Sequence, residues 1–509
     1  MSSLAALAAL PRLPDYLTEG RWLFALLLIH LLSLAVALRL LRGPGRLLPP
    51  VRCGLGEVLA HYKPGKIYDW HHANAVLAGI DRCFTIKLPH DPRIFGTVNP
   101  AVVQHVLIDA FKTYDKGPQW RTAFHDLLGD GIFNADGDLW RRQRKVASHE
   151  FSVRTLKTFH CRVFDESGAS VVRLVRAAGG APINVQDLFA RYTLDSIGKV
   201  GFGVEVGCLD DGDVASSFAR AFDTATQHSG SRFVDPIWKL KRLLGLGSER
   251  ELAAALRGVH GFCDRVINER RTVSADDLEG RPDMLSRFML HGFNDAQLRD
   301  QVINFVLAGR DTTAILLTWA LFELAQHPEV VERLREEAAA AAAERRPSNE
   351  DARLGLEELN SMPYLKATIT EVMRLHPSVP LDFKTATRDD VLPDGTAIRA
   401  GERVMFIAYS MGRLPELWLA PDRFDPARHL EPSGVFRAPS PSKFPVFLAG
   451  PRTCLGKDMA YMGAGMLLTL LLTQFDIALV DAPGSITYDI GLTLWTEAGV
   501  RIAFRERDA

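Results

Sequence analysis

Apolar residues in the body of the chain recur mainly at three- and four-residue spacing, which is the period of amphipathic α-helices. This pattern extends over residues 295–326 without a break, so it predicts an unusually long helix. A second run over residues 328–345 begins with Pro328, which favours the first turn of a helix. Its alanines at 338–343 are flanked by charged residues, and we expect them to form an exposed helix end.

Segments with strand character are fewer and shorter than the helical runs. Residues 396–398 follow an Asp394-Gly395 turn, and residues 404–409 form another short apolar stretch. After residue 51 the alanine run is the only low-complexity stretch, and no second linker or internal repeat divides the chain. The sequence therefore predicts a mainly α fold with minor β structure, in one domain over residues 51–509.

The segment from residue 22 to residue 38 is apolar except for His30 and Ser33. At a rise of about 1.5 Å per residue it spans about 25 Å, which nearly crosses a bilayer. A cleaved signal peptide is the less favoured alternative, because the run is longer than a typical signal region and no small-residue cleavage site follows it. We expect a retained N-terminal transmembrane helix, with membrane lipid as a partner.

The charges that flank this segment predict its orientation. Basic residues follow it at 39, 42, 46 and 52, whereas the arginines before it are offset by Asp15 and Glu19. The positive-inside rule then places the amino terminus in the lumen and the rest of the chain in the cytosol. The prolines in residues 43–50 predict a stiff connection between this helix and the globular part of the chain. We divide the chain into an anchor (1–42), a proline-rich hinge (43–50) and a globular domain (51–509).

Composition and charge exclude several classes of protein. With 47% hydrophobic and 24% charged residues, the chain can bury a large core, which excludes disordered and collagen-like chains. Lys and Arg number 60 against 61 Asp and Glu, giving a net charge of −1, so no overall positive field would attract nucleic acid, and we expect no such partner. Six scattered cysteines without C-x-x-C pairs argue against a disulfide framework and a structural zinc site.

The stretch FLAGPRTCLG, which ends at Gly456, is the most informative part of the sequence. Cys454 follows Arg452 by two positions and lies between Gly450 and Gly456, where missing side chains would let the backbone approach a flat ligand. A helical pattern over residues 459–472 would direct the positive end of a helix at the sulfur and stabilise a thiolate. A thiolate can serve as an axial ligand of haem iron, and Arg452 could pair with a haem carboxylate. A lone cysteine without this pattern would more simply be a buried small side chain.

Phe447 begins this stretch and completes an F-x-x-G-x-R-x-C-x-G pattern. On this pattern the chain resembles the cytochrome P450 family of haem-thiolate monooxygenases. The resemblance implies the cytochrome P450 fold and a haem b cofactor with Cys454 as its metal ligand. It further implies cofactor contacts from Phe447, Gly450 and Arg452.

The segment AGRDTT at residues 308–313 also matches the family, and it lies inside the predicted long helix. A hydroxyl in the middle of a helix with a small residue beside it can open a notch for dioxygen and water. The resemblance implies that Thr312 and Asp311 relay protons to the distal oxygen. The alternative is a helix-surface aspartate beside a threonine that hydrogen-bonds its own helix.

A charged triad is the third match. Glu371 and Arg374 form the E-x-x-R pair of the family, three residues apart on one helix face. The family adds an arginine in a W-x-x-P-x-x-F-x-P-x-R frame, which here ends at Arg428. Arg423 lies in a similar short segment but does not satisfy the whole frame, and His429 replaces the usual aromatic residue. We interpret the triad as structural support for the cysteine loop.

Trp140 and Arg144 match the W-x-x-x-R of the family, an i, i+4 pair that would meet a haem propionate. Other basic residues surround them, so a solvated helix face is the alternative. Lys384 would face either a haem propionate or a substrate carboxylate, and the sequence leaves both open.

Thiolate ligation favours O–O cleavage and hydroxylation of unactivated C–H bonds, so O2 is an expected co-substrate. No nucleotide-binding fingerprint is evident in the chain, so the electrons must come from outside. The family implies NADPH-cytochrome P450 reductase, a flavoprotein, as their source. The predicted anchor matches that partner and implies a single-pass protein of the endoplasmic reticulum membrane with a cytosolic catalytic domain.

Four stretches, at 129–151, 186–207, 304–314 and 449–461, resemble the plant fatty-acid ω-hydroxylase group within the family. The stretch at 233–249 leans toward members that act on long-chain acids for cutin or pollen-wall polymers. Terminal hydroxylation requires a narrow apolar tunnel that presents only the chain end. The resemblance places seven residues in segments that line such a tunnel, although each could be ordinary core: Ile132, Phe133, Phe305, Ala308, Val379, Leu381 and Leu492.

Two other functions remain open at this point. Some relatives within the family oxidise amino-acid conjugates of jasmonate, which are smaller and more polar ligands. A haem protein of the same fold without oxygenation is a remote alternative. Asp311 and Thr312 argue against it, because such a protein needs no oxygen-activating pair.

Overall fold

The structure is a computed structural model that describes residues 52–88, 91–210, 213–343 and 355–507. The predicted anchor (1–42) and hinge (43–50) lie outside these residues. Twenty α-helices are described in this part of the chain. In chain order, α1 to α20, they are Leu55–His61, Ile67–Ala78, Pro100–Gln104, Gly117–Leu128, Gly137–Ser148, Val153–Thr155, Cys161–Ala177, Val185–Phe202, Asp213–Ser231, Trp238–Leu244, Gly247–Arg271, Ala275–Glu279, Met284–Leu290, Asp295–Val306, Thr312–Leu324, Pro328–Ala343, Leu356–Asn360, Pro363–Leu375, Ala408–Met411 and Lys457–Gln474.

Eleven short strands accompany these helices in the described ranges. In chain order, β1 to β11, they are Arg52–Cys53, Phe84–Ile86, Ile94–Thr97, Tyr114–Asp115, Ile183–Asn184, Asp382–Ala386, Asp390–Val391, Ala397–Ile398, Arg403–Phe406, Phe475–Leu479 and Arg501–Glu506. They form a six-stranded sheet in the order β1-β2-β3-β9-β6-β4, a three-stranded sheet β10-β11-β5 and the pair β7-β8. The large sheet is mixed, with β1 parallel to β2 and β3 parallel to β9.

One long helical run passes through the protein. It consists of α14, a π-helical turn at Leu307–Asp311, and α15. Over 295–324 the run is long and apolar enough to span a membrane, but 83% of its most apolar window is buried inside the protein, as in the core helix of a globular fold. Helix α8 packs along it, and a Cβ on Gly309 would lie 2.7 Å from Ile197 Cδ1. The two helices therefore approach closely at Gly309.

The predicted elements agree with the structure except at some ends. The long helix predicted over 295–326 is confirmed, and α16 covers most of the run predicted over 328–345. The exposed helix end expected at 338–343 is found for four of the six alanines, while Ala338 and Ala341 are buried on the inner face of α16. The strand predicted over 404–409 ends at Phe406, since the backbone turns into the short helix α19.

Candidate functional site

Cys454 lies in a loop formed by two 3₁₀ turns, Pro445–Phe447 and Gly450–Arg452, just before α20. Its amide donates a hydrogen bond to the carbonyl of Phe447 at 2.8 Å, which closes the loop. Leu448 adopts the left-handed conformation with φ of 57°, which is uncommon for a residue other than glycine. The loop is therefore held in a defined and strained shape around the cysteine.

The side chain of Cys454 is solvent-accessible, although protein atoms surround it on most sides. Enclosure by protein raises the pKa of the thiol, while the Gly456 amide, Arg144 and Lys457 act to lower it. Those three groups stabilise negative charge on the sulfur. The other five cysteines are buried, so Cys454 alone among the described cysteines can meet a ligand.

The reason for glycine at position 450 differs from the one inferred from the sequence. Gly450 has a φ of 62°, and an added Cβ would lie 2.4 Å from the backbone oxygen of Leu107. Close approach to the protein's own backbone thus requires this glycine. At Gly456 the nearest atoms to an added Cβ are at 3.6 and 3.9 Å, which is ordinary contact.

Basic and aromatic side chains gather beside the cysteine loop. The guanidinium of Arg452 lies 4.4 Å from the ring centre of Trp140, and that of Arg144 lies 5.7 Å from it. Arg452 also forms a short ion pair with Asp136, and Arg144 Nη2 donates to the Thr453 carbonyl at 2.7 Å. Burial lowers the pKa of both guanidinium groups. The structure therefore brings together Cys454 and all three predicted propionate-binding residues.

The residues present fit the haem b that the resemblance implies. Cys454 supplies an accessible thiol, while Trp140 Nε1 and the Nε and Nη1 atoms of Arg144 donate to no other described residue. These indole and guanidinium donors are suited to a carboxylate. Trp140, Arg144 and Arg452 would hold the propionates, and Cys454 would ligate the iron.

The π-helical turn overlaps the AGRDTT segment, where one face of an otherwise buried helix is half-buried. Ala308 and Thr312, four residues apart, are half-buried, whereas the residues around them are mostly buried. Thr312 Oγ1 donates to the Ala308 carbonyl at 2.6 Å, and Ser378 Oγ donates to the Thr312 carbonyl at 2.8 Å. The Thr312 hydroxyl therefore hydrogen-bonds its own helix, as in the alternative interpretation, and Thr312 and Ala308 both lie on the half-buried face of that helix.

Asp311 is buried beside Thr312. Its carboxylate accepts from Arg310 Nη1 at 3.0 Å, and Arg310 also binds Asp223 of α9. Burial raises the pKa of Asp311 to about 7; Arg310 acts to lower it and Asp223 to raise it further. A carboxyl group that titrates near neutral pH can both accept and release a proton. The sequence pattern did not reveal Asp223, although an arginine in an apolar helix is itself a signal of a buried partner.

The structure assembles the predicted triad. Arg374 Nε and Nη2 each donate to a Glu371 oxygen at 2.8 Å, and Arg428 Nε donates at 2.9 Å. His429 adds a further hydrogen bond at 2.9 Å, so this departure from the family pattern provides a fourth member. The Arg423 side chain is exposed, and Arg428 is the arginine that contacts Glu371 from this segment.

The seven predicted tunnel residues differ in exposure. Phe133, Ala308, Val379, Leu381 and Leu492 are half-buried, as expected of side chains that border an internal space. Ile132 and Phe305 are buried, and the Phe305 ring packs on Phe288 with 6.2 Å between ring centres. Asn304 was missed from the sequence, yet it accepts from the Phe133 amide at 3.0 Å and fixes that loop to α14.

Lys384 is buried and bonded to Asp382. Lys116, missed from the sequence, is also buried, with its Nζ 3.9 Å from the same carboxylate and 4.5 Å from the Trp120 ring centre. Burial lowers the pKa of Lys116 to about 7, with Asp382 opposing this effect. Two lysine side chains thus lie at one carboxylate, that of Asp382.

A family model described as Cytochrome P450 matches residues 72–496 of this chain. Cytochrome P450 704C1 of Pinus taeda is 37% identical over 487 residues, covering 90% of this chain and 92% of that protein. Cytochrome P450 704B1 of Arabidopsis thaliana is 39% identical over 427 residues, covering 75% and 81% respectively. Cytochrome P450 94C1 of the same plant is 38% identical over 424 residues, covering 81% and 84%.

Among solved structures, a crystal structure of the cytochrome P450DA haem domain has the same fold. It superimposes with a TM-score of 0.75 and 23% identity, and the match covers 88% of this chain and 95% of that one. The helical architecture, the cysteine loop before α20 and the sequence relatives agree. This chain is a member of the cytochrome P450 family of monooxygenases.

Proposed function

We propose that this cytochrome P450 hydroxylates the terminal (ω) carbon of long-chain fatty acids. The observation that carries the proposal is that four apolar side chains of the predicted tunnel, from three separate segments, are half-buried, as Ala308 is. Phe133, Val379, Leu381 and Leu492 form this set. An apolar lining with few polar groups suits a hydrocarbon chain.

Family membership implies a haem iron with a thiolate ligand, and when bound this group supplies oxygen activation able to attack unactivated C–H bonds. The protein's own residues do the rest. Cys454 would hold the iron, while Trp140, Arg144 and Arg452 would fix the orientation of the ring through its carboxylates. Asp311 would deliver protons beside the Thr312 hydroxyl.

Selectivity for the terminal carbon must come from position. The C–H bonds of a methyl group are stronger than those of the neighbouring methylene, so an unrestrained chain would be hydroxylated at that methylene and not at its terminal carbon. A narrow lining that admits only the chain end removes this preference. Bulky side chains such as Phe133 and Leu381 are suited to this restriction.

The same inference extends to partners and location. The chain would take its electrons from NADPH through a separate flavoprotein reductase, and would sit in the endoplasmic reticulum membrane with its catalytic domain in the cytosol. The resemblance of residues 129–151 and 304–314 to plant fatty-acid ω-hydroxylases supports this function. A role in cutin- or sporopollenin-type polymers follows from such products.

The test is to co-express the full chain with a plant reductase and to supply long-chain acids of sixteen and eighteen carbons together with jasmonoyl-isoleucine. Mass spectrometry then locates the added oxygen. We expect oxygen on the terminal carbon of the acids and no product from the Cys454→Ser variant. Oxygen at internal carbons, or turnover of the conjugate alone, would refute the proposal, and the latter would indicate hormone inactivation instead.

A further inference from the structure

A chain of ion pairs connects the surface of α9 to the buried carboxylate beside Thr312. The Asp223 side chain is 56% exposed, whereas those of Arg310 and Asp311 are 4% and 3% exposed. Arg310 binds both oxygens of Asp223, with Nη2 at 3.2 Å from Oδ2, and its Nη1 also lies 3.0 Å from Asp311 Oδ1. One guanidinium is therefore shared between an exposed and a buried carboxylate.

The Arg310 guanidinium is shared unequally between Asp223 and Asp311. Asp223 receives two hydrogen bonds from Arg310 in the fork geometry that carboxylates favour, whereas Asp311 receives only one. The Nη1 atom serves both, so the two carboxylates compete for it. Aromatic rings of Phe222 and Trp495 lie 5.8 and 6.0 Å from the guanidinium and restrict its movement.

Few other titratable groups face this cluster. From the segment after α8, Cys208 lies near Arg310, and its own neighbour is Asp195, which accepts from the Cys208 and Leu209 amides. Arg191 of α8 also acts on Cys208. Among the described residues, Arg310 and Asp223 are the charged groups that act on Asp311 itself.

We propose that Asp223 of α9 is a positioning residue. By binding the Arg310 guanidinium, it keeps Asp311 able to take up and release a proton beside Thr312. The proposal rests on the oxygen-activating role of Asp311 and Thr312 in the proposed function. In each cycle Asp311 takes a proton from a hydronium ion, forming one O–H bond and leaving water. It then releases that proton toward the reacting oxygen, and no electron moves in this step.

Without the Asp223 charge, Arg310 would form its ion pair with Asp311 alone, and both of its Nη groups could donate to that carboxylate. A carboxylate paired with an unshared arginine holds its charge more strongly, so the pKa of Asp311 would fall from near neutral. The protonated form would then be scarcer at neutral pH. Proton delivery would slow, and reduced oxygen would leave as peroxide instead of entering product.

The test compares Asp223→Asn with Asp264→Asn in the full chain supplied with reductase. Asp264 of α11 pairs with Arg299 of α14 at 2.7 Å, so it is a matched helix-to-helix pair far along the same helical run from Asp311. Product and peroxide formed per NADPH consumed are measured from pH 6 to pH 9. The reduced carbon monoxide spectrum serves as the check that each variant keeps its haem site.

For Asp223→Asn we expect the alkaline fall in product per NADPH to move to lower pH by up to about one unit, with peroxide release rising about threefold to tenfold at pH 8. Asp264→Asn should keep the wild-type midpoint. An unchanged or raised midpoint in Asp223→Asn, or an equal shift in both variants, would overturn the proposal. The Asp311→Asn variant distinguishes failure of the Asp223 proposal from failure of the proposed function. If it leaves the pH profile of product per NADPH unchanged, Asp311 has no oxygen-activating role.

Discussion

Replacing Glu371 by glutamine tests the triad. The carboxylate is fully buried and accepts hydrogen bonds from Arg374, Arg428, His429 and the Asp425 amide. The substitution keeps the shape of the side chain but removes its charge and one acceptor oxygen. The Arg374 guanidinium, also fully buried, would then lack a counter-charge.

Two estimates give the loss of folding free energy expected for Glu371→Gln. Breaking a buried ion pair by removing one partner costs about 3 to 5 kcal/mol. Burial would raise the pKa of Glu371, but the hydrogen bonds from Arg374 and His429 outweigh it and lower the value from 4.5 to about 2. A difference of about 2.5 in pKa corresponds to about 3 kcal/mol. Because the folded-state pKa is depressed, this stability is present above pH 4.5 and is lost as the pH falls toward 2.

Urea unfolding followed by circular dichroism at several pH values measures both effects. The urea midpoint of the wild type should decrease as the pH is lowered from 5 to 3. The urea midpoint of Glu371→Gln should be lower at every pH and should depend less on pH in this range. Arg428→Gln should also lower the midpoint, and Arg423→Gln, at an exposed side chain nearby, should change it by less than about 0.5 kcal/mol in free energy. Equal effects of the two arginine substitutions, or a wild-type pH dependence in Glu371→Gln, would refute the reasoning.

Three further substitutions have defined outcomes. Cys454→Ser should abolish the shifted band of the reduced carbon monoxide complex, and a retained band would contradict the thiolate assignment. Gly450→Ala should lower haem retention on gel filtration, because its Cβ would collide with Leu107 O and its φ of 62° costs an alanine about 1 to 2 kcal/mol. Gly309→Ala should lower the thermal midpoint, and Ile197→Val should restore part of it by removing the Cδ1 atom at 2.7 Å; no rescue would place the strain elsewhere.

Motifs carried by neighbouring residues could be predicted from the sequence. Cys454 and Arg452 share one loop, and Glu371 and Arg374 share one helical turn, so spacing alone brings their side chains together. Periodicity likewise predicted the long helix, because apolar residues recur along it at three- and four-residue spacing. The π-helical turn inside that helix has no pattern of apolar spacing and was not anticipated.

Contacts between distant segments that no family motif connects could not be predicted. Arg310 and Asp223 are 87 residues apart, and no spacing rule connects them. The same limit explains the glycine at position 450, whose neighbour Leu107 lies far away in sequence. It explains Phe305 as well, since the helix alone does not determine whether its ring meets Phe288 or the ligand space.

The comparison of two buried carboxylates indicates which one can take part in chemistry. Glu371 accepts five hydrogen bonds, three of them from arginine, and its pKa is lowered to about 2. Asp311 accepts one, from an arginine that another carboxylate already binds, and burial raises its pKa to about 7. Glu371 therefore keeps its charge at every physiological pH and serves the fold. Burial brings the pKa of Asp311 near neutrality, and Asp223, which shares Arg310, raises it further. By our proposal, this surface aspartate on α9 keeps the buried one able to transfer protons.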